Sequence, residues 1–125
     1  LSSDAKVNNV LDFTEKVVTA TELAKLRCHT TFVSIVSSRN NAIGYSDAFT
    51  NDNCAIWTGR PPTSGDNFLV SGVSIGVSYN AVNGRTTFTY TGLGDIANRL
   101  QQAIESKFGV GKCTLGSDTL TCTLP

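Results

Sequence analysis

Cys28 and His29 are the residues whose types most directly invite chemistry, since a thiol beside an imidazole holds the parts of an activated nucleophile. Adjacency in the chain does not make two side chains meet, and a disulfide at Cys28 would remove the thiol. A second candidate is "GVGK" at 109–112, a glycine-rich turn ending in lysine. It lacks the GxxxxGK[ST] spacing of a phosphate loop, and Cys113 follows the lysine. The third is a set of carboxylates, Asp47, Asp52, Asp66, Asp95 and Asp118, dispersed through turn-rich stretches where Asp commonly caps or forms turns. They show no EF-hand spacing for calcium. The four cysteines, Cys28, Cys54, Cys113 and Cys122, contain no Cys-x-x-Cys pair, and with one histidine in the chain they make a poor zinc site. The expectation is a protein without a catalytic site, metal or cofactor.

An even cysteine count reads better as disulfides, which points to an extracytoplasmic compartment. Three pairings are open. Cys28–Cys54 with Cys113–Cys122 is favoured because each closes a local loop; a crossed pair such as 54–122 would overturn it. The 125 residues fit one domain with one core. Ten acidic residues cancel ten basic ones and only 16% of the chain is charged, which leaves no electrostatic footprint for nucleic acid or an anionic membrane. Low charge also leaves little self-repulsion between copies. No run approaches the ~20 apolar residues of a membrane span. The sequence has no methionine and no signal peptide, so the expectation is a chain that begins after a cleavage or is an expressed fragment.

The elements that must position these residues begin with a helix over 1–27. Val7, Val10, Leu11, Thr14, Val17, Val18 and Thr21 follow the 3-4 spacing of one face, widened by Phe13, Ala20 and Ala24. Asp12, Glu15, Lys16 and Glu22 lie away from its centre, and Ser3 or Asp4 is placed to cap its start. With no breaker before Cys28, the helix runs some 25 residues. The 28–72 region is less regular. "TTFVSIVSS" fits either helix or strand, and the Asn-, Asp-, Gly- and Pro-rich stretch after it has loop composition, tied by Cys28–Cys54 and pinned by Phe49 and Trp57.

The 73–125 region carries sheet signals. "VSIGVSYNAVNGRTTFTYTGL", from Val73 to Leu93, reads as two strands folded about Asn83-Gly84, with a two-residue turn pairing Val82 with Arg85, Tyr79 with Phe88 and Val77 with Tyr90. Tyr79, Phe88, Val77 and Tyr90 share an apolar face with Val73, Ile75 and Thr86, while Ser74, Gly76, Ser78 and Asn80 lie across from Thr87, Thr89 and Thr91 on the other. "LGDIANRLQQAIESKFG" reads as a short amphipathic helix with Ile96, Leu100, Ala103, Ile104 and Phe108 on one side and Gly109 as its stop. "KCTLGSDTLTC" reads as a second hairpin with Cys113 facing Cys122 and Leu115 facing Leu120. The fold class is α+β: a long N-terminal helix on an antiparallel sheet, a short late helix and a disulfide-closed terminal hairpin.

In this order of elements the chain resembles the soluble part of a type IV pilin, closest to the type IVb class, without its N-terminal hydrophobic half-helix. "AKVNNVLDFTEKVVTAT" resembles the spine helix just beyond the membrane-anchored half, and "TFTYTGLGDIANRLQQAI" the strand, Gly-Leu and helix late in type IVb domains. The terminal cysteine pair agrees with the family. One departure is that the late helix has Ala97 and Asn98 where the family often has a cysteine. The resemblance implies a subunit that packs with itself into a helical surface filament through pilus assembly machinery, its precursor in the inner membrane. It implies adhesion, aggregation or motility, and contact with host or neighbouring-cell surfaces. It also implies that the helix packs on the sheet through Val7, Val10, Leu11, Val17 and Val18 against Val77, Tyr79, Phe88 and Tyr90. The alternatives are a minor pilin or secretion-system pseudopilin, and, from another class, a secreted monomeric binding domain using the 39–67 loop.

Overall fold

The computed structural model describes residues 2–27, 67–80 and 83–125, without the side chains of Ala24, Lys25, Arg27, Tyr79 and Asn80. The expected Cys28–Cys54 bond, the Phe49 and Trp57 anchors, Asp47, Asp52 and Asp66 therefore fall outside the described residues.

The chain opens with α1, Ser3–Arg27, 25 residues long. Its cap is Ser2, not Ser3 or Asp4: the Ala5 N–H donates to Ser2 Oγ at 3.1 Å. A serine one residue before the first helical turn satisfies an otherwise orphaned amide, and Asp4 in that first turn suits the positive end of the helix dipole. Along α1 the buried positions are Val7, Val10, Thr14, Val17, Val18 and Thr21. All six are β-branched. Such side chains have little rotamer freedom in a helix, so packing costs them little entropy although their helix propensity is modest. Thr14 and Thr21 donate their hydroxyls to the Val10 and Val17 carbonyls at 2.9 and 2.8 Å, which makes these polar groups tolerable in a core.

Five strands form one antiparallel sheet: β1 Phe68–Val70, β2 Val73–Asn80, β3 Arg85–Thr91, β4 Cys113–Leu115 and β5 Leu120–Leu124, in the order β1-β2-β3-β5-β4. β1 lies within the stretch read as irregular. It is three residues long and pairs with β2 through Phe68↔Ile75 and Val70↔Val73. Between β3 and β4 the chain forms a 3-10 turn, Gly94–Ile96, and then α2, Ala97–Phe108. Gly109 ends α2 at φ 122°, a backbone region that disfavours side chains, and its N–H closes on the Glu105 carbonyl at 2.9 Å.

The β2–β3 register differs from the sequence expectation by two residues. Asn80 pairs with Arg85, Tyr79 with Thr86, Val77 with Phe88 and Ile75 with Tyr90. The cause lies at the turn, where Asn83 Oδ1 accepts the Arg85 N–H at 3.0 Å. With that amide held by a side chain, the expected pairing of 82 with 85 has lost its donor. Because strand faces alternate with period two, a slip of two leaves every side chain on its expected face. The terminal hairpin pairs Cys113 with Cys122 and Leu115 with Leu120, and the two cysteines are bonded.

α1 and α2 share one face of the sheet. Asp4 pairs with Arg99 near the start of α2, and Glu15 with Lys107 in its last turn at 4.0 Å, so the two helices run in the same direction. The core between helices and sheet contains Phe88, Tyr90, Ile75, Ile96, Leu100, Ile104, Leu120 and Leu124, all essentially inaccessible.

Candidate functional site: helix seat, terminal turn and outer sheet face

The helix seat is built from α1 upward. Val10 and Val17 are fully buried, Val7 and Val18 nearly so, and Leu11 is half-buried against the core. On the sheet side Phe88 and Tyr90 are fully buried with rings 6.1 Å apart and nearly parallel, and Val77 is partly buried beside them. Tyr79 lies on β2 opposite Thr86, its side chain outside the described set. Burying a valine contributes roughly 1.5–3 kcal/mol, so the α1 stripe is a principal attachment of the helix.

Two polar contacts fix where the helix sits along the sheet. Thr14 Oγ1 lies 2.7 Å from the Tyr90 hydroxyl, both fully buried. A threonine hydroxyl has one proton, and here it goes to the Val10 carbonyl. The Tyr90 O–H is therefore the donor to Thr14. Burial pushes the Tyr90 phenol well above the usual tyrosine range, and its hydrogen bond to Thr14 offsets part of that rise. Nearer the helix start, Asn9 Nδ2 donates to Ser71 Oγ at 2.8 Å, and Phe13 meets Phe68 with ring centres 5.1 Å apart. Of the contacts made by α1, those of Thr14, Asn9 and Phe13 went unforeseen. The burial pattern of a helix face is periodic, but the partner across a fold has no local signal.

The terminal turn settles one chemical candidate. Glu105 Oε2 accepts the N–H groups of Gly111 and Cys113 at 3.1 and 3.0 Å. Within "GVGK" the Gly111 amide is thus held by a carboxylate from α2 and the Gly109 amide by the Glu105 carbonyl, while Lys112 Nζ donates to the Pro125 carbonyl at 3.2 Å. The phosphate-loop reading does not stand. Glu105 instead ties α2 to the turn that leads into the disulfide hairpin, aided by Gln101 Nε2 on the Cys113 carbonyl at 3.3 Å. Val110, at the tip of the turn, is 94% exposed.

The sheet face away from the helices is unlike a usual solvent face. Its outward positions are Leu69 on β1, Ser74, Gly76 and Ser78 on β2, Thr87, Thr89 and Thr91 on β3, Thr114 on β4, and Thr121 and Thr123 on β5. Threonines stand opposite one another at Thr87↔Thr123, Thr89↔Thr121 and Thr114↔Thr121. None of these positions is charged; Arg85, the first residue of β3, follows the same alternation onto this face. Gly76 leaves room for Asn67, whose Oδ1 would lie 3.2 Å from an added Cβ and whose Nδ2 donates to Ser74 Oγ at 3.0 Å.

Asp95 and Asp118 are both exposed and sit in separate turns; among the described residues no group of three His, Cys, Asp or Glu is placed to hold a metal ion. A cleft of about 190 Å³ lies among Gly92, Leu93, Gly94, Ala97, Ser117 and Asp118. It is smaller than the ~300 Å³ at which small-molecule pockets begin. No helix among the described residues is long and apolar enough to cross a membrane. No family model, curated protein or solved structure matches the chain.

Proposed function

We propose that this domain is a structural subunit of a type IV pilus, nearest the type IVb class, whose work is done by packing rather than by chemistry. The observation that carries this reading is the seating of α1: a 25-residue helix held by a continuous β-branched stripe on a sheet whose opposite face is coated with hydroxyls. A spine helix bonded to a sheet along one side still presents its other side, with Asn8, Asp12, Lys16 and Thr19 exposed, to neighbouring copies. A net charge of zero keeps repulsion between close-packed copies low. The terminal hairpin, closed by Cys113–Cys122 and tied to α2 by Glu105, supplies a stiff outer rim. On this reading the partners are further copies of the subunit, the assembly machinery and the surfaces to which the filament adheres, and the place is outside the cell.

The test is electron microscopy of filaments sheared from cells that express the whole gene, labelled with antibody to this domain. Labelling along the filament makes the protein a major pilin, and labelling at the tips a minor one. Free protein in the medium, with no labelled filament, overturns the proposal in favour of a secreted binding domain.

A further inference from the structure

The β2–β3 turn carries a reactive group that neither the helix seat nor the sheet face requires. Ten asparagines occur in the chain, and Asn83 is the one followed by glycine. We propose that Asn83 is a site of spontaneous deamidation in the native fold, converted through a cyclic imide with Gly84 into aspartate and isoaspartate. The inference is independent of the function proposed above.

The backbone nitrogen of Gly84 attacks Asn83 Cγ and a C–N bond forms. The amide proton passes to solvent base, and the carboxamide nitrogen leaves as ammonia. Water then opens the five-membered imide at one carbonyl to give aspartate or at the other to give isoaspartate. Nothing is oxidised or reduced, and water is the sole co-reactant.

Three features favour this step at residue 83. Asn83 is exposed, so base and water reach it. Gly84, at φ 69°, places no Cβ beside the attacking nitrogen. The Arg85 N–H, at 3.0 Å from Asn83 Oδ1, folds the carboxamide back along the turn and donates to the oxygen that gains charge as the ring closes. A donor already aimed at the developing oxyanion lowers a barrier of this kind. The other described asparagines lack this combination. Asn8, Asn9 and Asn98 lie in helices and precede Asn, Val and Arg, and Asn67 precedes Phe.

The two products differ in consequence. Aspartate keeps an oxygen for the Arg85 amide and adds one negative charge beside Arg85. Isoaspartate adds a methylene to the main chain at residue 83, near the Asn80↔Arg85 pair of the β2–β3 ladder. Only isoaspartate alters the turn's length.

The experiment incubates the folded, oxidised chain at neutral and mildly alkaline pH and follows the peptide containing residue 83 by mass spectrometry and chromatography. The expected result is two products, each with amide nitrogen replaced by oxygen, forming roughly tenfold faster than at any other asparagine and faster as pH rises. Asn83→Gln, whose ring closure is slower, should remove the products. The proposal is overturned if the peptide stays intact in the folded protein while the same peptide free in solution converts. It is equally overturned if conversion is spread over all asparagines, as it would be from an unfolded fraction.

Discussion

Replacing Thr14 with valine removes one oxygen from the core and should expose how α1 is held. The Tyr90 hydroxyl, fully buried, donates to Thr14 Oγ1 at 2.7 Å. In Thr14→Val that hydroxyl is orphaned at a cost of about 1–3 kcal/mol. Tyr90→Phe should cost less, about 0.5–1.5 kcal/mol, because Thr14 still has the Val10 carbonyl as acceptor at 2.9 Å. The double variant leaves no unpaired group and fills the site with apolar atoms, so its loss should be smaller than that of Thr14→Val alone. The two changes are therefore strongly non-additive, with a compensating coupling of at least about 1 kcal/mol. Urea titration followed by circular dichroism measures this, since the midpoints should move while the slope stays constant. In thermal melts each kcal/mol corresponds to about 3–5 °C for a chain of this size. Additive losses, or a Thr14→Val variant as stable as the parent, would refute the seating of α1 against β3.

The same tyrosine predicts a pH dependence. Its folded pKa lies above the unfolded value of about 10, so the native state holds the proton more tightly; the associated stability is complete below about pH 10 and is lost as pH rises beyond it. Alkaline unfolding curves of Tyr90→Phe should show a shallower loss than the parent. Glu105→Ala should lower stability by about 1–3 kcal/mol by orphaning the Gly111 and Cys113 amides, with Glu105→Gln recovering part of it, measured by urea titration. Replacing both Cys113 and Cys122 with alanine should cost about 2–3 kcal/mol from the loop they close, nine residues apart, and lower the melting temperature in non-reducing buffer only.

What could be read from the sequence, and what could not, divides on whether the determinant is periodic. The burial of Val10, Val17 and Leu100 follows from apolar spacing at 3-4 intervals, and the faces of β2 and β3 follow from alternation at two. The terminal hairpin was legible because Cys113 and Cys122 can face each other only in one register that also brings Leu115 to Leu120. The β2–β3 register was not, because it turns on a single side-chain oxygen, Asn83 Oδ1, competing with a carbonyl for the Arg85 amide. β1 escaped for another reason: three residues carry too little alternation to stand out from a loop.

Glu105 shows the harder limit. It lies on α2 among residues that read as an ordinary exposed face, and its partners are six and eight positions on, across the helix end. No repeat links such positions; the connection exists only once Gly109, in a conformation open to few other residues, has reversed the chain. The terminal disulfide is held in a similar way, since its register depends on a turn whose amides depend on that carboxylate. In a chain with so little charge, one carboxylate with two backbone donors therefore links helix, turn and covalent bond into one unit. That coupling gives a reason why the rim of the domain should move as a single piece, and why loss of Glu105 should loosen the Cys113–Cys122 hairpin without breaking its bond.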